Sequence, residues 1–314
     1  MAELHVVFGT GPLGRATAEA LCTLGKTVRM ANRSGRLIDP PSNAEIVACN
    51  AYDAAQNIAI TRGATAIYQC AQPHYHEWSE EFPPLQRAIL EAATVNGATL
   101  VVGDNLYMYG RFTGRLREND HVNPHTRKGK VRAAMAQEIL DAHNAGKVRA
   151  AIGRASDFFG PYDTALTGYA ILPAVEGKPI NLLGRADQPH TFTYVKDFGN
   201  LLATLGTRNE ALGQVWFAPS NPPMTQMEFA RLLETELGTP VKTRIGGPLI
   251  MRVLGLFDPS MAETVEMMYE WTAPFVVDTS KAERAFGLQP TPMDAAMRET
   301  LAWCKTQVRG NGAR

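Results

Sequence analysis

Leu4-His5-Val6-Val7-Phe8-Gly9-Thr10-Gly11-Pro12-Leu13-Gly14 joins a strand-like run to a glycine-spaced turn. Beyond it, Leu13, Ala16, Thr17, Ala20, Leu21 and Leu24 recur at helical spacing on one face. Strand, glycine turn and helix in that order form the first half of a βαβ unit that binds a dinucleotide. Gly9 permits the tight turn, Gly11 lets the backbone approach a pyrophosphate, and Gly14 lets the helix pack close to the strand. Pro12 suits a first helical turn, where its missing N–H costs nothing. Thr10 and Leu13 complete the turn, and the helix N-terminus offers amides and a positive dipole end to phosphate. A purely structural turn is the competing reading, and the flanking strand and helix weigh against it.

The next strand ends at Met30-Ala31-Asn32-Arg33-Ser34-Gly35-Arg36. A carboxylate there would grip the ribose 2′-OH of NAD. None is present. Arg33 is placed to pair with a 2′-phosphate, with Ser34 and Arg36 to assist and Asn32 beside them, because guanidinium groups suit phosphate geometry. A solvated surface arginine is the bland alternative. The expected cofactor is NADP(H).

Working outward, Thr27–Ala31, Glu45–Ala48, Ala66–Cys70, Thr99–Val102 and Ala150–Arg154 read as short strands apolar on both faces, alternating with helical patterns. That is the signature of an α/β fold, a doubly wound parallel Rossmann sheet. After Arg154 prolines and glycines multiply and the alternation stops. The organisation expected is a dinucleotide-binding domain over residues 1–160, with returning segments near 190–220. A smaller, discontinuous C-terminal substrate domain takes 161–189 and 221–308. Gln214–Ala218 should return to the main sheet, and Gln226–Leu237, Pro248–Leu256 and Met293–Val308 read as helices.

Composition narrows the partners. The 314 residues carry 31 Lys plus Arg against 31 Asp plus Glu, with no basic block, which argues against nucleic acid or an anionic membrane. Cys22, Cys49, Cys70 and Cys304 lie far apart, so neither a disulfide framework nor a zinc site is expected. With no bilayer-length apolar run and no signal-peptide pattern, a cytoplasmic location is expected.

Three further blocks carry a family resemblance. Arg154-Ala155-Ser156-Asp157-Phe158-Phe159-Gly160-Pro161, Thr191-Phe192-Thr193-Tyr194-Val195-Lys196-Asp197 and Phe286-Gly287-Leu288-Gln289-Pro290 resemble segments of the extended short-chain dehydrogenases/reductases. That superfamily includes UDP-galactose 4-epimerase and many sugar-nucleotide epimerases and dehydratases. The resemblance implies chemistry by a Ser or Thr, a Tyr, and a Lys four residues after the Tyr. Val101 to Gly110 resembles the fifth-strand block, which puts Asn105 at the Ser/Thr position. The helix from Lys130 makes Lys130 the implied lysine, binding the nicotinamide ribose, and puts Thr126 where the tyrosine should stand. A threonine hydroxyl is far less acidic than a phenol and cannot serve unaided as a general base. Asn105 retains the ability to hold a carbonyl oxygen. Tyr107 is the first substitute proton donor and His125 another, while Tyr109 reads as structural.

Cys70 to Trp78 follows the fourth strand and so belongs at the ligand crevice, with Ala71 against the cofactor and His74, Tyr75 and Trp78 lining a substrate pocket. His74, His76 and Glu77 match no standard metal spacing, and no metal is expected. Arg185 and His190 are further substrate-facing candidates, and Met261, Met267, Met268, Tyr269 and Trp271 read as core or pocket wall. The expected activity is an NADP(H)-dependent oxidoreductase or epimerase-like enzyme acting on a small carbonyl or hydroxyl substrate. The alternative is a non-catalytic NADP(H)-binding regulator. The resemblance also implies a homodimer.

Overall fold

The computed structural model describes residues 3–246 and 265–311. The helix expected at Pro248–Leu256, and Met261, lie outside them. Seven strands form one sheet: β1 (Leu4–Phe8), β2 (Thr27–Asn32), β3 (Ala44–Ala48), β4 (Ala64–Gln69), β5 (Thr99–Asp104), β6 (Arg149–Arg154) and β7 (Val215–Phe217). Their order is β7-β6-β5-β4-β1-β2-β3, and every pairing is parallel. The chain winds one way from β1 to β3 and the other way from β4 to β7. The switch point therefore lies between β1 and β4, where the carboxyl ends open a crevice.

Alternate residues of each strand face opposite sides, which is why the inner strands β1, β4 and β5 are largely apolar, whereas the edge strand β3 carries Glu45 and is only partly buried. Val6, Phe8, Ile67, Leu100, Val102 and Ile152 pack against helices α3 (Trp78–Asn96), which follows the short α2 (Ala54–Ile60), and α4 (Arg127–Asn144), chiefly through Phe82, Ile89, Met135 and Ile139. Val7, Met30, Ala66, Val101 and Ala151 pack on the other face against α1 (Pro12–Thr23) and α5 (Val195–Leu205). The helix α1 comes so close to α5 that a Cβ on Gly199 would lie 2.5 Å from the Ala16 carbonyl carbon. The chain enters β2, β4, β5 and β6 through turns at Gly25, Gly63, Gly97 and Gly146, each with positive φ and open space around it.

A third apolar cluster gathers pieces distant in sequence: Phe159, Ile171, Leu182, Phe192, Phe229, Leu233, Trp271, Met297 and Leu301. Helices α6 (Gln226–Leu237) and α7 (Met293–Asn311) belong to it, α6 starting at a Thr225–Glu228 capping box. Met267, Met268, Tyr269 and Trp271 are buried. No described helix is long and apolar enough to cross a membrane.

Candidate functional site

The glycine turn is shaped by contact on two of its three glycines. Gly9 adopts φ +102°, and a Cβ there would lie 2.7 Å from the Ala71 backbone nitrogen; one on Gly14 would lie 2.0 Å from the Gly9 oxygen. A Cβ on Gly11 would meet nothing within 4 Å. The first and last glycines are thus required by packing, and the middle one faces open space at the N-terminus of α1. Donors, helix end and clearance fit a dinucleotide pyrophosphate. The Leu13 side chain lies across β5, so close to Gly103 that a Cβ there would be 2.8 Å from it. Pro12 opens α1.

Asn32 organises the turn after β2. Its Nδ2 donates to Thr10 Oγ1 (3.2 Å) and to the Arg36 oxygen (2.8 Å), while its Oδ1 accepts from the amides of Ser34 (3.0 Å) and Gly35 (2.7 Å). The side chains of Arg33, Ser34 and Arg36 are exposed around it.

At the carboxyl ends of β4 and β5, Tyr75 donates to the Tyr107 hydroxyl at 3.3 Å. Trp78 packs edge-on against Tyr75 and tilted against Tyr107, with centroids at 5.1 and 6.0 Å. Burial pushes both phenols well above the ordinary tyrosine range, and the Glu270 and Asp157 carboxyls push them further. Asn105 is half-buried; its Oδ1 accepts from the Tyr107 amide at 3.2 Å, which leaves the amide nitrogen as its donor end.

Beneath them lies a buried ionic network. Asp104 Oδ1 accepts from Arg132, with Nε at 2.6 Å, and from the Asn105 amide at 2.8 Å; its Oδ2 accepts from Arg154 at 3.0 Å. Arg154 also donates to the Tyr109 hydroxyl at 2.7 Å, and Arg132 lies 4.4 Å over the Phe82 ring. All partners are satisfied, so the network fixes the end of β5 and with it Asn105 and Tyr107. Tyr109 is buried in that network.

The lysines of α4 fall differently from the sequence expectation. Thr126 caps the helix, its Oγ1 accepting from Gly129 N at 3.0 Å, so α4 starts ahead of Lys130. Lys130 is exposed. Lys128 is 1% exposed, its Nζ 4.4 Å over the Tyr75 ring and 3.6 Å from Glu266. Residues two apart on a helix point to nearly opposite sides, so one inward lysine excludes the other. The register was legible: Lys128, Arg132, Met135 and Ile139 share one buried face.

Of the remaining candidates, His190 is buried, its Nε2 2.9 Å from Asp157 Oδ2 and its ring stacked on Trp271 at 4.1 Å. The Arg185 side chain faces solvent and pairs with Asp187 at 2.8 Å, while its amide donates to the Trp271 oxygen at 2.8 Å. His74 is exposed, as is His76, and His125 packs edge-on against Tyr269 at 4.5 Å. Among the described residues no cluster of His, Cys, Asp and Glu is arranged to hold a metal. Asp157, which holds His190, and Glu266, which pairs with Lys128, are acids that sequence reasoning did not single out.

The NAD dependent epimerase/dehydratase family matches residues 6–216. The chain belongs to this family of nicotinamide-dependent enzymes. No curated protein matches it significantly by sequence. Among solved structures, UDP-glucose 4-epimerase from Thermus thermophilus in complex with NAD is 16% identical, covering 96% of this chain and 99% of its own, with a TM-score of 0.79. The dTDP-glucose 4,6-dehydratase from Streptomyces venezuelae with NAD bound is 17% identical over 98% of each chain, TM-score 0.79. UDP-glucuronic acid 4-epimerase from Bacillus cereus, in complex with UDP-glucuronic acid and NAD, is 16% identical over 97% of this chain and 99% of that one, TM-score 0.77. These likenesses are of fold.

Proposed function

We propose that the protein is an NADP(H)-dependent oxidoreductase or epimerase-like enzyme acting on a small carbonyl or hydroxyl substrate. The observation that carries this reading is the open space above Gly11 beside the exposed Arg33 and Arg36, a cradle with cations where a 2′-phosphate would fall. The turn from Gly9 to Gly14, with Ala71 against it, would hold the pyrophosphate, and Arg33, Ser34 and Arg36 the 2′-phosphate. When bound, the nicotinamide supplies or accepts a hydride. Lys128 replaces Lys130 as the lysine directed at the ribose, because it is the inward-facing one. Asn105 would orient the substrate oxygen through its Nδ2, and the Tyr75–Tyr107 pair would line the pocket with neutral donors.

Arg33→Ala should weaken NADPH binding at least about tenfold and leave NADH nearly untouched, since one charge-assisted contact contributes roughly 1.5–3 kcal/mol. Equal loss of both in titration calorimetry would sink the NADP preference. The regulator reading draws support from Thr126, whose hydroxyl caps a helix, and from phenols held far from ionisation. NADPH binding without oxidation across a panel of aldehydes, ketones and sugar nucleotides would favour it.

A further inference from the structure

Arg15 lies in the first turn of α1, directly after the last glycine of the turn, and is only 7% exposed. A cation there opposes the positive end of the helix dipole, and burial strips its water. Three backbone oxygens offset both costs. Nε donates to the Thr10 oxygen at 3.3 Å, Nη1 to the Asp39 oxygen at 2.6 Å and Nη2 to the Ile38 oxygen at 2.7 Å. The guanidinium also lies over the Tyr162 ring, 3.9 Å from its centroid.

These partners belong to different parts of the chain. Thr10 is in the glycine turn, read above as the pyrophosphate cradle. Ile38 and Asp39 are in the loop after β2, the one that carries Arg33, Ser34 and Arg36. Asn32 secures the near half of that loop through Ser34, Gly35 and Arg36, and Arg15 secures the far half. The far half is ill suited to hold itself. The Ile38 side chain is 83% exposed, Asp39 takes the uncommon φ of +48°, and Pro40 and Pro41 follow with no amide to donate.

The task needs an arginine. Its planar fork reaches two successive carbonyls of one loop and a third of another in fixed directions, which a lysine ammonium cannot span. Tyr162 steadies the plane of the fork. It holds φ +66° just after Gly160 and Pro161, and packs on Trp303 of α7 at 5.2 Å.

We infer that Arg15 is a positioning residue for cofactor selectivity, pinning the loop after β2 to the glycine turn. All three of its nitrogens are engaged with the chain itself. It acts by fixing how far Arg33 and Arg36 stand from the cradle, so that a dinucleotide seated on the turn presents its 2′-phosphate to them. This rests on the NADP(H) reading above.

Two measurements on the whole protein test it. In the free protein, trypsin cleavage after Arg33 and Arg36, read by mass spectrometry against cleavage elsewhere in the chain, should be about tenfold faster or more in Arg15→Gln. In titration calorimetry, the same variant should lower NADPH affinity by about tenfold and NADH affinity by less than about threefold. Arg15→Lys, which keeps the charge and loses the fork, should move both readings the same way, and it decides the matter if Arg15→Gln does not fold. Unchanged cleavage overturns the inference. So does loss of NADPH and NADH in equal proportion, which is what an arginine serving the fold alone would give. A wild type that binds NADH as tightly as NADPH overturns the NADP(H) reading instead, and the cleavage measurement, made without cofactor, then decides whether Arg15 holds the loop.

Discussion

Gly11 and Gly14 sit three residues apart and answer to different demands. Gly11 has φ −72°, ordinary for any residue, and open space where a Cβ would go. Gly11→Ala should leave the melting temperature nearly unchanged and lower NADPH affinity at least about tenfold, the methyl occupying the pyrophosphate's place. Gly14→Ala puts a Cβ against the Gly9 oxygen, a backbone atom that cannot swing aside. It should cost about 3 kcal/mol of stability, read by urea denaturation. Equal behaviour of the two variants in both measurements would refute the division of labour. The packing roles of Gly9 and Gly14 were legible in the sequence because the glycine spacing, set between a strand and a helix, dictates them. Asn32 was not: an amide that knits a turn together looks the same in a sequence as one reaching for a ligand.

The helix α4 decides which lysine turns inward. Its buried face carries Lys128, Arg132, Met135 and Ile139, and Lys130 falls on the solvent side. Lys128→Ala should lower NADPH affinity by about tenfold or more, whereas Lys130→Ala should leave it as it is, because an exposed lysine contributes little. The reverse pattern in a fluorescence titration would restore Lys130. The sequence located this helix through its apolar repeat, yet its first turn was hidden, since Thr126 reads equally well as a helix cap and as the occupant of a catalytic position. The inner strands β1, β4, β5 and β6 were legible for a simple reason. A parallel strand buried on both faces must be continuously apolar, so its burial is written locally. The packing of His190 between Asp157 and Trp271 is not written locally, because it depends on contacts between residues far apart in the chain.

Stability as a function of pH belongs to the molecule as a whole, and here two buried groups act in opposition. Burial lowers the His5 pKa to about 4, from 6.5, and raises that of Asp163 to about 6, from 3.8. The His5 contribution is complete above its unfolded pKa and is lost as pH falls from 6.5 towards 4. The Asp163 contribution is complete below 3.8 and is lost as pH rises through about 6. Each is worth on the order of 3 kcal/mol, so between pH 4 and 6 their slopes largely cancel. Relative to wild type, Asp163→Asn should gain stability as pH rises through that window, and His5→Gln should gain as it falls. Parallel pH profiles for wild type and both variants in urea denaturation would refute the pair. The direction shared by all seven strands has a consequence of another kind. The glycine turn, Asn32, Tyr75 and Tyr107 follow the carboxyl ends of their strands, while the turns at Gly25, Gly63, Gly97 and Gly146 lie at the opposite rim, unencumbered. That rim is the molecule's handle: new termini, inserted peptides or a tether to a surface belong there, a sheet's height away from the glycine turn.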